Sequence, residues 1–134
     1  MKDGQEVWLG NTCVKAIHTP GHSQGAMTYL FNVMEQEREY QAVLCGGTGF
    51  NTLNLEFMEQ HQIDWRDDFV SSLGKWRQIK ADIYLGNHTP QSQVLDKLKR
   101  RKTEQNNPFI DANEWAEYVE NLQKRYMDMI REEG

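Results

Sequence analysis

His18-Thr-Pro-Gly-His22 is the stretch whose reading decides the fold. It lies between two β-type runs, Cys13-Val-Lys-Ala-Ile17 before it and Met27-Thr-Tyr-Leu-Phe31 after it. Proline holds φ at about −65° and glycine takes backbone angles that other residues resist, so Pro20-Gly21 makes a sharp corner at a strand end. That corner presents His22 from the edge of a sheet. An imidazole held there suits a metal that takes neutral nitrogen ligands, zinc first.

Outward from the corner, the first half reads as strands. Val7-Trp-Leu9 and Cys13–Ile17 flank Gly10-Asn11, a hairpin signal. Met27–Val33 is the next strand, and Glu35-Gln-Glu-Arg-Glu39 a charged turn. Ala42-Val-Leu-Cys45 is short and apolar, the pattern of a strand buried on both faces, and Gly46-Gly-Thr-Gly49 ends it. The second half reads as helices. Asp64 is the expected N-cap of a helix whose first turn carries Asp67 and Asp68, and Trp65, Phe69, Leu73 and Trp76 form its apolar stripe. Asp82-Ile-Tyr-Leu85 is one more strand, so strand, helix and strand make a parallel crossover. Ser92 is the expected cap of a helix to Lys102, and Asn106-Asn-Pro108 breaks the chain. Asp111 and Glu114 have the spacing of a capping box before a helix with Trp115, Tyr118, Val119, Leu122, Tyr126, Met129 and Ile130 on one face. The class is therefore α/β (α+β), one domain over 1–134. Strands fill 7–50, helix, strand and helix fill 64–102, and a last helix spans 111–131. A mixed sheet of about five strands with two to three helices is expected.

Composition narrows the function. With 15 Lys and Arg against 20 Asp and Glu the net charge is −5, which disfavours nucleic acid as a partner. The cluster Lys97, Lys99, Arg100, Arg101 and Lys102 fits a helix C-terminus and a solvated face better. No apolar run approaches the ~18 residues of a membrane span, so no membrane partner is expected, and Met1–Glu6 shows no signal peptide. Cys13 and Cys45 sit in apolar runs without a C-x-x-C pair and read as small buried hydrophobes.

Four histidines are present. His22 and His88 share a setting, each ending an apolar strand in a corner that contains glycine or proline. Ligands of open α/β sheets bind outside strand ends, so two such imidazoles can converge on an ion; the alternative is that both only hydrogen-bond at loop starts. His18 reads as a structural or supporting imidazole behind the ligands. His61, in Glu59-Gln-His-Gln62, reads as solvent-exposed. Gly46–Gly49 lacks the Lys-Ser/Thr of a P-loop and reads as a close-packed turn near the site, not a nucleotide cradle.

The run His18-Thr-Pro-Gly-His22-Ser23 with Gly25 resembles the metallo-β-lactamase superfamily. Asp82-Ile-Tyr-Leu-Gly-Asn-His88-Thr-Pro resembles the strand carrying that family's last zinc histidine. Asn107-Pro-Phe-Ile-Asp111 leading into Trp115-Ala-Glu-Tyr118-Val is similar to the C-terminal helix of the third subclass of metallo-β-lactamases. The order and spacing of all three agree over almost the whole chain. The resemblance implies half of a four-layered αβ/βα sandwich, with His22 a ligand of a first zinc and His88 of a second. Thr48 would line the substrate site. The family's main metal motif, H-x-H-x-D-H, does not occur in this sequence, which looks like the C-terminal half of the fold.

A catalytic zinc takes about three protein ligands and an open position for water, whose pKa it lowers. One imidazole per ion falls short of that. The chain is therefore expected to be part of a zinc-dependent hydrolase, inactive alone, whose partner is the missing N-terminal half or a second copy in a homodimer. Up to two zinc ions and a small-molecule substrate belong to the complete enzyme, and the lactamase likeness suggests a periplasmic or secreted setting. After Ala42–Cys45 the family often carries a metal-bridging Asp, or Gly-Ser-x-Thr in the third subclass; Gly46-Gly-Thr-Gly49 has neither, which leaves a lactone, ester or phosphoester open as substrate. The competing reading is a non-catalytic binding or assembly module that kept the fold.

Overall fold

The computed structural model describes residues 1–134. Five strands form one mixed sheet in the order β1-β2-β3-β4-β5. They are β1 (Glu6–Leu9), β2 (Thr12–His18), β3 (Met27–Glu35), β4 (Arg38–Cys45) and β5 (Ile83–Leu85). The first four run antiparallel, and β5 joins β4 in parallel after a helical crossover. The register aligns the chemistry. His18 pairs with Met27, Thr28 with Cys45, and Leu44 with Leu85. The C-terminal ends of β2, β4 and β5 therefore share one edge of the sheet, where the His18–His22 corner and the His88 loop begin.

The helices are α1 (Leu55–His61), α2 (Arg66–Gln78), α3 (Val94–Arg100) and α4 (Glu114–Glu133), one or two more than expected, with a 3-10 turn at Asn51–Leu53. The addition is α1, whose start is set by Asn54: its side-chain oxygen accepts the Phe57 N–H at 2.8 Å. No helix is long and apolar enough to cross a membrane. Of the expected apolar stripe, Phe69, Leu73 and Trp76 are buried on α2, and Trp65 precedes the helix, half-buried against the core.

Three caps differ from expectation. Helix α2 starts at Arg66, and Asp64 accepts only the Arg66 N–H, at 3.2 Å. Ser92 does not cap α3; Gln93 precedes that helix at φ +52°, and the buried Ser92 hydroxyl accepts the Gly86 N–H at 3.3 Å. The capping box at α4 is not made. Asp111 accepts the Asn113 N–H at 2.9 Å, and Glu114 instead pairs with the buried ammonium of Lys97. A buried cation needs a partner more than an exposed helix end needs a second cap, and this pair ties α3 to α4.

The core lies on one side of the sheet. Val43, Cys45 and Tyr84 meet Phe69, Leu73 and Trp76 of α2 and Trp115, Val119, Leu122 and Tyr126 of α4, with Leu30 packed against them. Trp115 donates its indole N–H to the Trp76 carbonyl at 3.1 Å and so joins the two helices. Residues directly opposite on paired strands share a face, and side chains alternate along each strand. The other face therefore carries Val14, Tyr29, Phe31, Leu44, Ile83 and Leu85, all partly exposed and none in the core. Ala16 and Ala42 lie buried between them. This face is apolar and has no helix on it.

The β3–β4 hairpin closes through Gln36 (φ +51°) and Glu37 (φ +65°). Neither is glycine, and each holds the left-handed conformation against its own Cβ. Glu37→Gly is expected to raise stability by about 0.5–1 kcal/mol, the steric relief less the entropy that glycine loses on folding. A higher urea midpoint at unchanged slope checks this; an unchanged or lower midpoint contradicts it.

Candidate functional site

The His18–His22 corner is built from the backbone outward. Thr19, wholly buried, bonds the Thr28 hydroxyl at 2.9 Å, and Trp76 donates its indole N–H to the same hydroxyl at 2.8 Å. Thr28 also lies 3.2 Å from the Cys45 sulfur. The corner is thus joined to the sheet and to α2 by one buried polar line, every hydroxyl of which has a partner. Gly21 follows at φ +138°, and a Cβ there would stand 2.8 Å from Phe69. Conformation and space both require glycine.

His22 is exposed, yet its ring has a defined place. Nδ1 lies 3.0 Å from the Gly49 carbonyl. A carbonyl only accepts, so Nδ1 carries the proton and the neutral ring keeps its lone pair at Nε2. The Cδ2 edge of the ring comes against Gly47, where a Cβ would stand 2.6 Å from the Cδ2 atom. The glycines after β4 are therefore a close-packed turn that makes room for an imidazole.

The loop that carries His88 reaches the same turn from β5. Its neighbour Asn87 donates a side-chain N–H to the Gly46 carbonyl. The loop closes on itself, with His88 N–H bonded to the Gln91 side chain at 3.3 Å and Gln91 N–H to the His88 carbonyl at 3.0 Å. His88 is exposed. The Gly46–Gly49 turn is thus touched by the His22 ring at Gly47 and Gly49 and by the residue next to His88 at Gly46.

The remaining predicted residues have other places. The His18 Nε2 atom bonds the Gln24 carbonyl at 2.7 Å and closes its own loop. Thr48 is 3% exposed, and its hydroxyl bonds Tyr118 of α4 at 2.5 Å, so the group read as lining the site serves the interior. His61 is exposed, stacked on Phe57, with Nδ1 2.9 Å from the Phe57 carbonyl. The part played by Asn87, Gly47 and Gly49 in placing the histidine loops is not visible from residue type; only the density of glycine after β4 hinted at it. No group of three or more His, Cys, Asp or Glu side chains is assembled that could hold a metal ion. Tyr84 lies beneath the His88 loop, its hydroxyl buried without a hydrogen-bond partner and its ionisation pushed upward by burial.

Cys45 sits directly below this turn. Burial pushes its thiol up to about 11 from the ordinary 9.0, against hydrogen bonds that act the other way. The folded state thus prefers the protonated thiol more than the unfolded chain does. The stability so gained is fully present below pH 9 and is lost as pH rises through 11, amounting to about 2–3 kcal/mol. Unfolding titrations of the native chain and of Cys45→Ala across that window are expected to differ by this slope; parallel curves contradict it. Gly47→Ala is expected to push the His22 ring off the Gly49 carbonyl and to cost about 1–3 kcal/mol. Ring resonances of His22 unchanged by the substitution contradict the close contact.

Comparison with known proteins places this geometry. No family model matches the sequence, and no curated protein does. Solved structures do. The chain superposes on native FEZ-1 metallo-β-lactamase from Legionella gormanii with a TM-score of 0.85 and 28% identity, over 97% of this chain and 50% of that one. It superposes on BJP-1, a subclass B3 metallo-β-lactamase of Bradyrhizobium japonicum, with a TM-score of 0.83 and 23% identity, over 98% and 50%. The metallo-β-lactamase GOB-18 from Elizabethkingia meningoseptica gives 0.75 and 23%, over 98% and 49%. Nearly the whole chain therefore has the structure of one half of subclass B3 metallo-β-lactamases, and it spans about half the length of the structures it matches.

Proposed function

We propose that this chain carries part of the site of a zinc-dependent hydrolase of the metallo-β-lactamase kind, and that a second body completes it. The observation that carries the reading is the meeting of two histidine loops on Gly46–Gly49, one through the His22 ring and one through Asn87 beside His88. The match to half of several metallo-β-lactamases supports it. Each histidine offers an imidazole of the kind zinc takes, and His22 keeps Nε2 free. No third donor stands with them. The two residues fit as part of a donor set and do not make a whole one, so we assign the chain by itself no zinc-dependent step.

The second body lies against the open sheet face. Tyr29, Phe31, Leu44, Ile83 and Leu85 form a contiguous apolar surface of the kind that marks an interface. A complementary half of the fold is favoured over a second copy, because the structures matched are each about twice as long as this chain. The substrate is a small molecule. The Thr48 hydroxyl is engaged by Tyr118, which supports a substrate other than a β-lactam. The competing reading, a non-catalytic module that kept the fold, is supported by Gly47: the His22 ring fills the space a bridging carboxylate would need.

Zinc calorimetry separates these readings. The chain alone is expected to bind zinc no tighter than micromolar. Together with a complementary half supplying the other ligands it should bind far more tightly, and His22→Ala or His88→Ala should abolish the gain. Sub-micromolar binding by the isolated monomer overturns the shared site, and no gain with the complementary half favours the non-catalytic module. The open face is expected to drive concentration-dependent self-association of the isolated chain, reduced by Leu44→Lys; a compact monomer at high concentration in sedimentation velocity counts against an uncovered interface.

A further inference from the structure

We propose that helix α2 positions His22, with Ser72 and Lys75 as positioning residues that act through the backbone of the His18–His22 corner. The inference deepens the proposed function, since it concerns the same imidazole. Asp68, Phe69, Ser72 and Lys75 recur at the spacing of one helix face. Each meets the corner or the residues just after it at a different position. Lys75 donates to the His18 carbonyl at 2.6 Å, and Ser72 to the Pro20 carbonyl at 2.7 Å. Phe69 packs on Gly21, and Asp68 accepts the Gln24 side-chain amide at 3.2 Å.

Two of these residues are unusual choices for packing alone. Ser72 is wholly buried among apolar neighbours on the inner face of α2, where an alanine would give a better helix and leave no hydroxyl to satisfy. Its hydroxyl goes to the corner. Lys75 has a partly exposed side chain, yet its ammonium turns in to a backbone carbonyl, with the Asp3 carboxylate at 4.0 Å. Asp3 in turn accepts the His18 N–H at 2.8 Å, so one ion pair holds both backbone groups of His18. With residues 18, 20 and 21 held and proline restricting φ between them, His22 has little freedom left. Its ring is delivered to Gly47 and to the Gly49 carbonyl.

The ring tautomer reads this positioning without any metal. In the native chain the Gly49 carbonyl holds His22 as the Nδ1–H form. If the corner loosens, the ring leaves that carbonyl and returns to the Nε2–H form that a free imidazole prefers in water. Long-range proton–nitrogen NMR on the full chain at a pH where His22 is neutral distinguishes the two. Ser72→Ala and Lys75→Met are each expected to make Nε2–H the major form of His22. Val119→Ala, a truncation in α4, is expected to lower the melting temperature and leave the tautomer as in the native chain. Retention of Nδ1–H in both α2 variants overturns the proposal, and so does an equal change in Val119→Ala, which would reveal general loosening. Should Ser72→Ala fail to fold, Lys75→Met decides alone. No zinc enters the measurement, so a failed zinc titration removes the metal reading and leaves this one standing.

Discussion

A sheet with apolar side chains on both faces has to be covered on both, and this chain supplies a cover for one. Helices α2 and α4 bury Val43, Cys45 and Tyr84. Tyr29, Phe31, Leu44, Ile83 and Leu85 on the other face remain partly open to water. Each such side chain is worth about 1.5–3 kcal/mol on full burial, so a row of them is a large unspent driving force for association. The match to half the length of metallo-β-lactamase structures and the one-sided core are two views of this asymmetry.

The site inherits the same division. Its edge is defined by register: antiparallel pairing puts Thr28 beside Cys45, parallel pairing puts Leu44 beside Leu85, and the loops after β2, β4 and β5 emerge together. The backbone of the His18–His22 corner is held from the covered side, through Trp76, Phe69, Ser72 and Lys75 of α2, and the ring itself by the turn after β4. The histidine is built on the finished half of the molecule and presented at its rim.

Much of this was legible in the sequence because its signals are local and periodic. Short β-type runs bounded by turn residues marked the strands, a stripe of Trp, Phe and Leu marked α2, and the Pro-Gly pair marked the corner. What the sequence concealed depends on partners distant in the chain. Glu114 has the residue type and spacing of a capping-box partner, but the buried Lys97 draws it away from its helix end, and the Ser92 hydroxyl turns back to the Gly86 N–H of its own loop instead of capping α3. Thr48 reads equally well as a surface or an interior hydroxyl; Tyr118, seventy residues on, decides it. The short α1 was missed because its one strong signal, Asn54, precedes only seven helical residues.

The two histidines differ in how firmly they are held, and the difference has a physical consequence. His22 is placed by buried hydrogen bonds and by glycine contacts with no slack, so its ordering is complete when the chain folds. His88 sits in an exposed loop closed by bonds to its own backbone, tied to the turn only through Asn87. A ligand already in place loses little entropy when an ion arrives, whereas a mobile one is ordered at that moment. In a site completed by a second body, His22 would therefore act as the fixed reference to which the incoming ligands adjust, and the second body's contact with the His88 loop would determine how well the other imidazole follows.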